Sequence, residues 1–316
     1  MNRDKQLSVK CFVLSFAAAF LVLSILTMLS TMAVHPLTPK ETIAEQQNEI
    51  PYLPRQEDCM TVLVIGTKET TAIPQTYMLI GFNPVKGQIP ILTLPGTTII
   101  KQDGKTKLLA EIYNYGGGNM VKKALSNTFD INIDNVAVIN QDAFCRLVNL
   151  AGSVEYTVPY PLSYTRGDMQ VDIADGRQLM DASRMMELIT YKGYNGGEAT
   201  RCSVTSDMAT RAINQHLKLC LSNDIDTIFR TAVNLMQTDI SYIDYEKRKK
   251  ALTFMSELED KPANNIPLSG EFDSKTNTFL LNQSMYDLIK YVYTYPQKTP
   301  KQPLTRETVS NIQAQE

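Results

Sequence analysis

A stretch of 24 residues without a charged side chain, Cys11 to Val34, divides the chain into two unequal parts. It contains 19 apolar residues, and the other five are Ser or Thr, whose hydroxyls a helix satisfies by bonding back to its own carbonyls. At 1.5 Å per residue such a helix reaches ~36 Å, enough to cross a hydrocarbon core of ~30 Å. We therefore expect a transmembrane helix at 11–34, preceded by a short N-terminal segment at 1–10.

The charges before this stretch indicate its orientation. Arg3, Lys5 and Lys10 precede it, and the positive-inside rule keeps such a segment in the cytoplasm. A cleaved signal peptide ending near Ala33 is the alternative, but the apolar regions of signal peptides are shorter than this one. The sequence thus predicts a single-pass protein of the cell membrane with an extracytoplasmic C-terminal domain.

Charge and rare residues exclude several classes of function. The chain has 31 Lys and Arg against 33 Asp and Glu, so nothing in its net charge of -2 favours a nucleic-acid partner. With only two histidines, a zinc site or catalytic triad built on several histidines is excluded. Of the five cysteines, Cys11 falls in the apolar stretch, and the other four lack a close pairing pattern. We interpret them as scattered, partly buried thiols, with one disulfide as the alternative.

The rest of the chain changes character three times. Residues 35–58 are polar and rich in proline, which is typical of a linker. In 59–261, apolar strand patterns such as TVLVIGT alternate with helical patterns such as QDAFCRLVNLAG, which predicts an α/β domain with a central mixed sheet flanked by helices. A C-terminal extension, 262–295, is β-rich and ends in a helix that we expect to pack through Leu288, Ile289 and Val292. The tail, 296–316, has little to bury and is predicted to be disordered.

Three local motifs have a structural and a functional interpretation. Three glycines, Gly116 to Gly118, precede a helical pattern, where backbone amides could approach a ligand at a helix N-terminus; by itself the run indicates a turn. The sequence GRQLMD is predicted to open a helix from Asp175 to Thr190. The basic cluster from Lys247 to Lys250 is a solvated helix face or a contact for anionic lipid headgroups.

The order of these segments resembles the LytR-CpsA-Psr family. The similarity in sequence and spacing covers about 61–240, and its segments in chain order are TVLVIGT, QTYMLIGFNP, ILTLPGTT, YNYGGGNMVKKAL, INIDNVAVINQDAFCRLVNLAGSVEYTVP, GRQLMD, GGEATRC and MQTDIS. The resemblance implies a phosphotransferase that moves an anionic glycopolymer from a polyprenyl-pyrophosphate carrier onto peptidoglycan. It also implies a hydrophobic cleft for the prenyl tail, with the pyrophosphate held at its mouth by arginines and by magnesium on two aspartates. Such a site positions the phosphates and neutralises their charge.

Most charged positions of that family site are altered in this chain. Where the family has Arg-Ser-Asp-Thr, this sequence has Ile73-Pro74-Gln75-Thr76, and where it has Pro-Arg-Asp, this sequence has Pro95-Gly96-Thr97. Two arginines and both metal-binding aspartates are therefore missing. A later pair of arginines falls on Thr190 and Lys192, and in the Gly-Arg-x-x-Arg-Gln signature Arg201 persists beside two changes, Glu198 and Cys202. The degenerate catalytic positions are Ile73, Gln75, Gly96, Thr97, Thr190 and Glu198.

The leading hypothesis is a family member that has lost or greatly weakened phosphotransfer. Gln75 and Thr97 would bind magnesium far more weakly than aspartates, so no metal or cofactor is expected. The protein would keep a cleft for a polyprenyl-phosphate lipid or glycopolymer and act with cell-envelope partners as a binding or regulatory protein. Residues that could still bind phosphate or another ligand are Arg201, Lys192, Lys107, Gln178, Tyr115 and Gly116.

Two alternatives remain. The first is an active, magnesium-dependent transferase whose ligands have moved to other loops, with Glu69, Asp103 and Glu111 as carboxylates and Lys68, Lys101, Lys107 and Arg201 as cations. It requires carboxylates that converge within ~5 Å of one another, because magnesium binds its oxygens at about 2.0–2.1 Å. The second is a structural envelope protein whose cleft has collapsed, which predicts no apolar opening between sheet and helices.

Overall fold

The computed structural model describes residues 52–69, 72–102, 104–166, 169–222 and 225–295. The predicted segments 1–10, 11–34 and 296–316, and most of the linker 35–58, lie outside these ranges. Within them, no helix combines the length and the apolar character that crossing a membrane requires.

A mixed sheet forms the centre of the described structure. Its strands are β1 (Met60–Thr67), β2 (Thr76–Phe82), β3 (Ile89–Pro95), β6 (Asn135–Asn140), β11 (Gln237–Thr238) and β12 (Ala263–Asn265), in the spatial order β11-β6-β1-β2-β3-β12. β1 runs parallel to β6 and antiparallel to β2, while β12 runs parallel to β3 at one edge. The near-continuous apolar composition of β1, β2 and β3 matches a sheet covered on both faces.

One face of the sheet is closed by two helices. These are α1 (Leu109–Phe129) and α7 (Gln283–Tyr293). Leu63 and Ile65 of β1 point to this side and are fully buried against Ile112 of α1 and Ile289 of α7. The C-terminal extension therefore contributes both a sheet edge and a core helix to the domain.

The opposite face is covered by α4 (Gly197–Ser222) and α6 (Tyr242–Ser256). The helix between them, α5 (Ile225–Asn234), packs on α6 through the stacked rings of Phe229 and Tyr245. Met78 and Ile91 of the sheet pack with Ala251 and Met255 of α6, and Ile213 of α4 lies against the same cluster. The central mixed sheet flanked by helices confirms the predicted fold class.

A smaller layer of hairpins and helices forms a second core beside the sheet. Here β7 (Val154–Val158) pairs with β10 (Gly176–Met180), β8 (Leu162–Arg166) pairs with β9 (Met169–Ile173), and α2 (Gln141–Ala151) and α3 (Ala182–Thr190) complete the layer. Two further hairpins are β4 (Ile99–Gln102) with β5 (Lys105–Leu108), and β13 (Gly270–Asp273) with β14 (Thr278–Leu281).

The structure corrects two of the predicted helices. The helix expected from Asp175 starts only at Ala182, because Gly176–Met180 pairs with Val154–Val158 as a strand and Asp181 accepts a hydrogen bond from the Arg184 amide as the helix cap. In α7, Ile289 is buried and Val292 packs partly buried against the core, as expected, but Leu288 is 38% exposed, and Met285 and Tyr293 complete the buried face. The thiols of Cys59, Cys145 and Cys202 are free.

Replacing Ile289 with valine is expected to lower the free energy of unfolding by about 1 kcal/mol, because a methylene is removed from a fully buried site. The same substitution at Ile243, which is 64% exposed on α6, should change it by less than about 0.3 kcal/mol. Chemical denaturation followed by circular dichroism measures both values. Equal effects would contradict a core role for α7.

Candidate functional site

Arg201 lies at the end of the sheet where β2 begins, and its guanidinium is bonded entirely within the protein. The residue is 4% exposed. Its Nη1 donates to Thr76 Oγ1 at 3.2 Å and to the Ile189 carbonyl at 3.2 Å, and its Nη2 donates to the Gln75 carbonyl at 3.1 Å. The predicted phosphate-binding arginine therefore joins β2, α3 and α4, and its donors already have acceptors.

Glu198 neutralises the charge of this arginine. Its Oε2 accepts from Nη2 of Arg201 at 2.8 Å and from Nε at 3.1 Å, one helical turn away on α4. Burial disfavours the charged guanidinium, whereas Cys202 and Glu198 favour it, and the net result is a raised pKa for Arg201. The acidic residue at a position where the family has an arginine thus forms a buried ion pair with the arginine that remains.

The loop before β2 closes over Gly96, where the family has its second arginine. The Gly96 amide donates to the Gln75 carbonyl at 3.2 Å, and the Ala110 amide donates to the Gly96 carbonyl at 3.0 Å. A Cβ atom at Gly96 would lie 2.8 Å from the Pro74 carbonyl oxygen, a contact that real Cβ atoms do not make. The backbone of 73–75 therefore occupies the space that a side chain at position 96 would need.

The two positions of the missing aspartates have different surroundings. Gln75 is exposed, while the Thr97 hydroxyl is buried and has no hydrogen-bond partner among the described residues. The Thr97 carbonyl accepts from the Phe279 amide at 2.9 Å, which ties this segment to β14. Ile73 is 57% exposed.

The positions of the later arginine pair lie near the end of α3. The Thr190 hydroxyl donates to the Met186 carbonyl at 2.6 Å, one turn earlier in its own helix. Lys192 follows the helix and is exposed. Of these two positions, only Lys192 keeps a positive charge, and its side chain is exposed.

The glycine run lies inside α1 rather than before it. Gly116 and Gly117 leave the helical conformation, and Gly117 has φ 64° and ψ -163°, a combination that is essentially restricted to glycine. A Cβ at Gly118 would lie 2.9 Å from Val136, so this glycine lets α1 approach the sheet closely. The run is a kink between two helical segments; its proposed role in ligand binding stays a prediction.

Two further candidates pair with one another on the outside of this kink. Tyr115 is 76% exposed, and the Lys107 ammonium lies 5.2 Å from the centre of its ring. Gln178, in contrast, belongs to β10, where its side chain donates to the Ala174 carbonyl at 2.7 Å. It is part of a hairpin and not of a helix N-terminus.

The proposed relocated metal ligands do not form a cluster in the described structure. Glu111 caps α1 by accepting from the Leu108 amide at 3.0 Å, Glu69 is exposed in the loop after β1, and Asp103 lies outside the described residues. Within the part of the chain that the structure describes, no group of three or more His, Cys, Asp or Glu side chains could hold a metal ion.

Half-buried apolar side chains lie between the sheet and α4. On the α1 side of β1, Leu63 and Ile65 have no exposed surface. On the α4 side, Val64 of β1 and Ile80 of β2 are only half-buried, and so are Ile213 and Leu217 of α4, which belong to the same apolar cluster. We call this set of four residues the sheet cleft.

Sequence reasoning missed one polar group near this site. The Tyr77 hydroxyl is buried without a hydrogen-bond partner among the described residues, and its ring lies 3.5 Å from the Cβ position of Gly96. Burial, and then the neighbouring Tyr113, raise its pKa well above the usual value for tyrosine. Its position in an apolar strand, QTYMLIGF, gave no indication of a functional role.

The comparisons with known proteins agree on one family. Residues 27–294 match the LytR_cpsA_psr family. The chain is 21% identical over 231 residues to the polyisoprenyl-teichoic acid–peptidoglycan teichoic acid transferase TagU of Oceanobacillus iheyensis, covering 70% of each chain. It is 25% identical over 186 residues to the TagU of Enterococcus faecalis, covering 58% of each.

Solved structures show the same fold. A protein described as a transcription regulator from Eubacterium siraeum has a TM-score of 0.71 at 19% identity, covering 79% of this chain and 97% of its own. TagV of B. subtilis has a TM-score of 0.61 at 15% identity, covering 74% and 95%. A structure of TagT bound to LIIa-WTA has a TM-score of 0.59 at 18% identity, covering 77% and 92%. The chain therefore belongs to the LytR_cpsA_psr family.

Proposed function

We propose that this protein is a member of its family with lost or greatly weakened phosphotransfer that binds a polyprenyl lipid in cell-envelope assembly. One observation carries the proposal: Glu198 and Arg201 form a buried ion pair where the family presents cations to a pyrophosphate. A phosphate would have to displace Glu198, and the half-buried carboxylate would then repel it.

The loss of charge extends over the whole site. Gly96 has no room for a side chain, Thr190 bonds to its own helix, and Gln75 and Thr97 offer only neutral oxygens. Phosphoryl transfer depends on charge neutralisation in the transition state, and removing such groups costs orders of magnitude in rate. The relatives named as teichoic acid transferases support the substrate class, while the altered residues support the loss of activity.

The sheet cleft supports retention of a lipid. Apolar side chains at a central strand that stay partly accessible are what a long apolar ligand would cover. In a structural protein with a collapsed cleft, these four side chains would be fully buried. The Glu111 carboxylate accepts from the Leu108 amide as the cap of α1, which argues against its use as a metal ligand in the transferase with relocated ligands.

We further propose that residues 11–34 anchor the protein in the cell membrane, with the domain outside. The support is the uncharged apolar stretch and the cations before it. An anchored domain would reach a lipid carrier whose prenyl chain lies in the same membrane.

Full-length protein extracted from its host membrane in detergent should retain a polyprenyl lipid, which native mass spectrometry detects as a fixed added mass. Leu217→Glu should abolish this mass, because it places a carboxylate in the sheet cleft. Leu219→Glu, on the same helix but at a site that is 54% exposed, should keep it. Wild-type protein without bound lipid, or equal retention by both variants, would contradict the proposed cleft.

A further inference from the structure

A cavity of about 320 Å³ opens beside α4, where that helix meets β7 and the segment after β12. Its lining consists of Tyr156, Ala199, Thr200, Ser203, Val204, Asp207, Asn265 and Leu268. Its volume is at the lower end of the roughly 300–1,000 Å³ of small-molecule sites. It can therefore hold a ligand of about one sugar ring and is too small for a polymer.

The cavity lies on a different side of α4 from the buried ion pair. Its lining residues Thr200, Ser203 and Asp207 repeat at the three- to four-residue spacing of one helical face. Arg201 points instead to β2 and α3, where it bonds to Thr76 and Ile189. The cavity is thus separate from the degenerate family site.

Three polar side chains of the lining keep unused hydrogen-bonding capacity. The Asn265 Nδ2 donates to the Ser203 carbonyl at 3.3 Å and has a second N–H that can donate, whereas its Oδ1 has almost no accessible surface and is out of a ligand's reach. Ser203 Oγ accepts from the Leu268 amide at 3.3 Å, so its hydroxyl can still donate. Thr200 Oγ1 donates to the Asn195 carbonyl at 2.8 Å and can still accept. The hydroxyls of a ligand can use this remaining capacity of Asn265, Ser203 and Thr200.

The charges around the cavity balance. Asp207 is the acidic residue of the lining, and its Oδ2 accepts from Nε of Arg211 at 3.1 Å. The Arg211 guanidinium also lies 5.2 Å from the centre of the Tyr156 ring. Burial, followed by the charge and hydrogen bond of Asp207, raises the pKa of Tyr156, so this phenol stays protonated and donates to the carboxylate. A charged ligand would find no uncompensated partner here.

We propose that this cavity binds a neutral, polyhydroxylated ligand of monosaccharide size. Thr200 and Asp207 supply acceptors, Ser203 and Asn265 supply donors, and Val204 and Leu268 provide apolar contact for the carbon face of a ring. This site adds a carbohydrate-binding function to the protein, and it does not depend on the sheet cleft or on loss of phosphotransfer.

The test is calorimetric titration of the full-length protein with N-acetylglucosamine, in a detergent without a sugar headgroup. This sugar offers several hydroxyls and one N–H donor. We expect binding at millimolar sugar or below, and at least about tenfold weaker binding for Asp207→Asn and for Asn265→Leu. Asp142→Asn is the matched control for Asp207→Asn, because Asp142 also pairs with an arginine four residues later, on the surface of α2, and its binding should equal wild type.

Circular dichroism at the titration temperature verifies that each variant is folded. A crystal soaked with the same sugar should show it against Ser203 and Asp207. The proposal is overturned if the folded wild type does not bind the sugar, if the variants bind as tightly as the control, or if glucuronate or glucosamine binds more tightly than the neutral sugar. These outcomes leave the lipid-retention result unaffected, so the two proposals fail separately.

Discussion

Replacing Arg201 with methionine is expected to lower the free energy of unfolding by about 3 kcal/mol. The effect is on stability, although the family resemblance implies a ligand-binding role for this arginine. The substitution removes the arginine donor from the Glu198 carboxylate and the Ile189 carbonyl, and one of the two donors to the Gln75 carbonyl. Breaking a buried ion pair costs about 3–5 kcal/mol. We expect the lower end because the Glu198 side chain is 30% exposed.

Denaturation of the full-length protein in detergent, followed by circular dichroism, measures this loss. Arg146→Met is the matched control, because the Arg146–Asp142 pair spans 3.9 Å between largely exposed side chains and should contribute less than about 0.5 kcal/mol. Adding Glu198→Gln to Arg201→Met should recover part of the stability by removing the uncompensated charge. A loss at Arg201 no larger than that at Arg146 would contradict the structural role of the ion pair.

Replacing Gly96 with alanine should lower the free energy of unfolding by about 1–3 kcal/mol, the usual cost of forcing an extra carbon into a packed site. The added Cβ would meet the Pro74 carbonyl oxygen at 2.8 Å, and backbone cannot yield as a flexible side chain does. The larger arginine of the family motif would meet the same obstacle, so Gly96→Arg should not restore phosphate binding.

Gly66→Ala is the control for this substitution. A Cβ at Gly66 would lie 3.5 Å from Thr76 Cβ, an ordinary contact, and the position is in β1 at the same end of the sheet. We expect a change of less than about 0.5 kcal/mol there, measured by the same denaturation. If both alanine variants were equally stable, the loop at 73–75 would not be closed over Gly96 as the structure has it.

The fold was predictable where the signal is local. TVLVIGT and ILTLPGT are apolar runs whose buried-strand character depends only on their own residues, and both became central strands. Gly176–Met180 was predicted as the start of a helix, but it forms a strand. Pairing with Val154–Val158, about twenty residues away, overrides its local preference. No hydropathy pattern contains such a pairing.

The sequence predicted which residues occupy the site but not the contacts that they make. Comparison of motifs identified Glu198 and Gly96 as departures from the family, but not what replaced the missing groups. Arg201 was expected to remain available to a ligand, whereas its partners Gln75 and Thr76 lie more than a hundred residues away in the chain. The cavity at Asn265 draws on three separate segments of the chain, so no sequence motif indicated it.

The central claim is that this chain has lost or greatly weakened the transfer reaction of its family. The most direct test measures magnesium-dependent transfer of a phosphoglycan from a polyprenyl-pyrophosphate donor by the full-length protein, beside a family member that keeps both aspartates and the arginines. We expect a rate at least about a thousandfold lower, since removal of even one charge-stabilising group costs about 10²–10³ in rate. A magnesium-dependent rate comparable with that of the other member would contradict the claim.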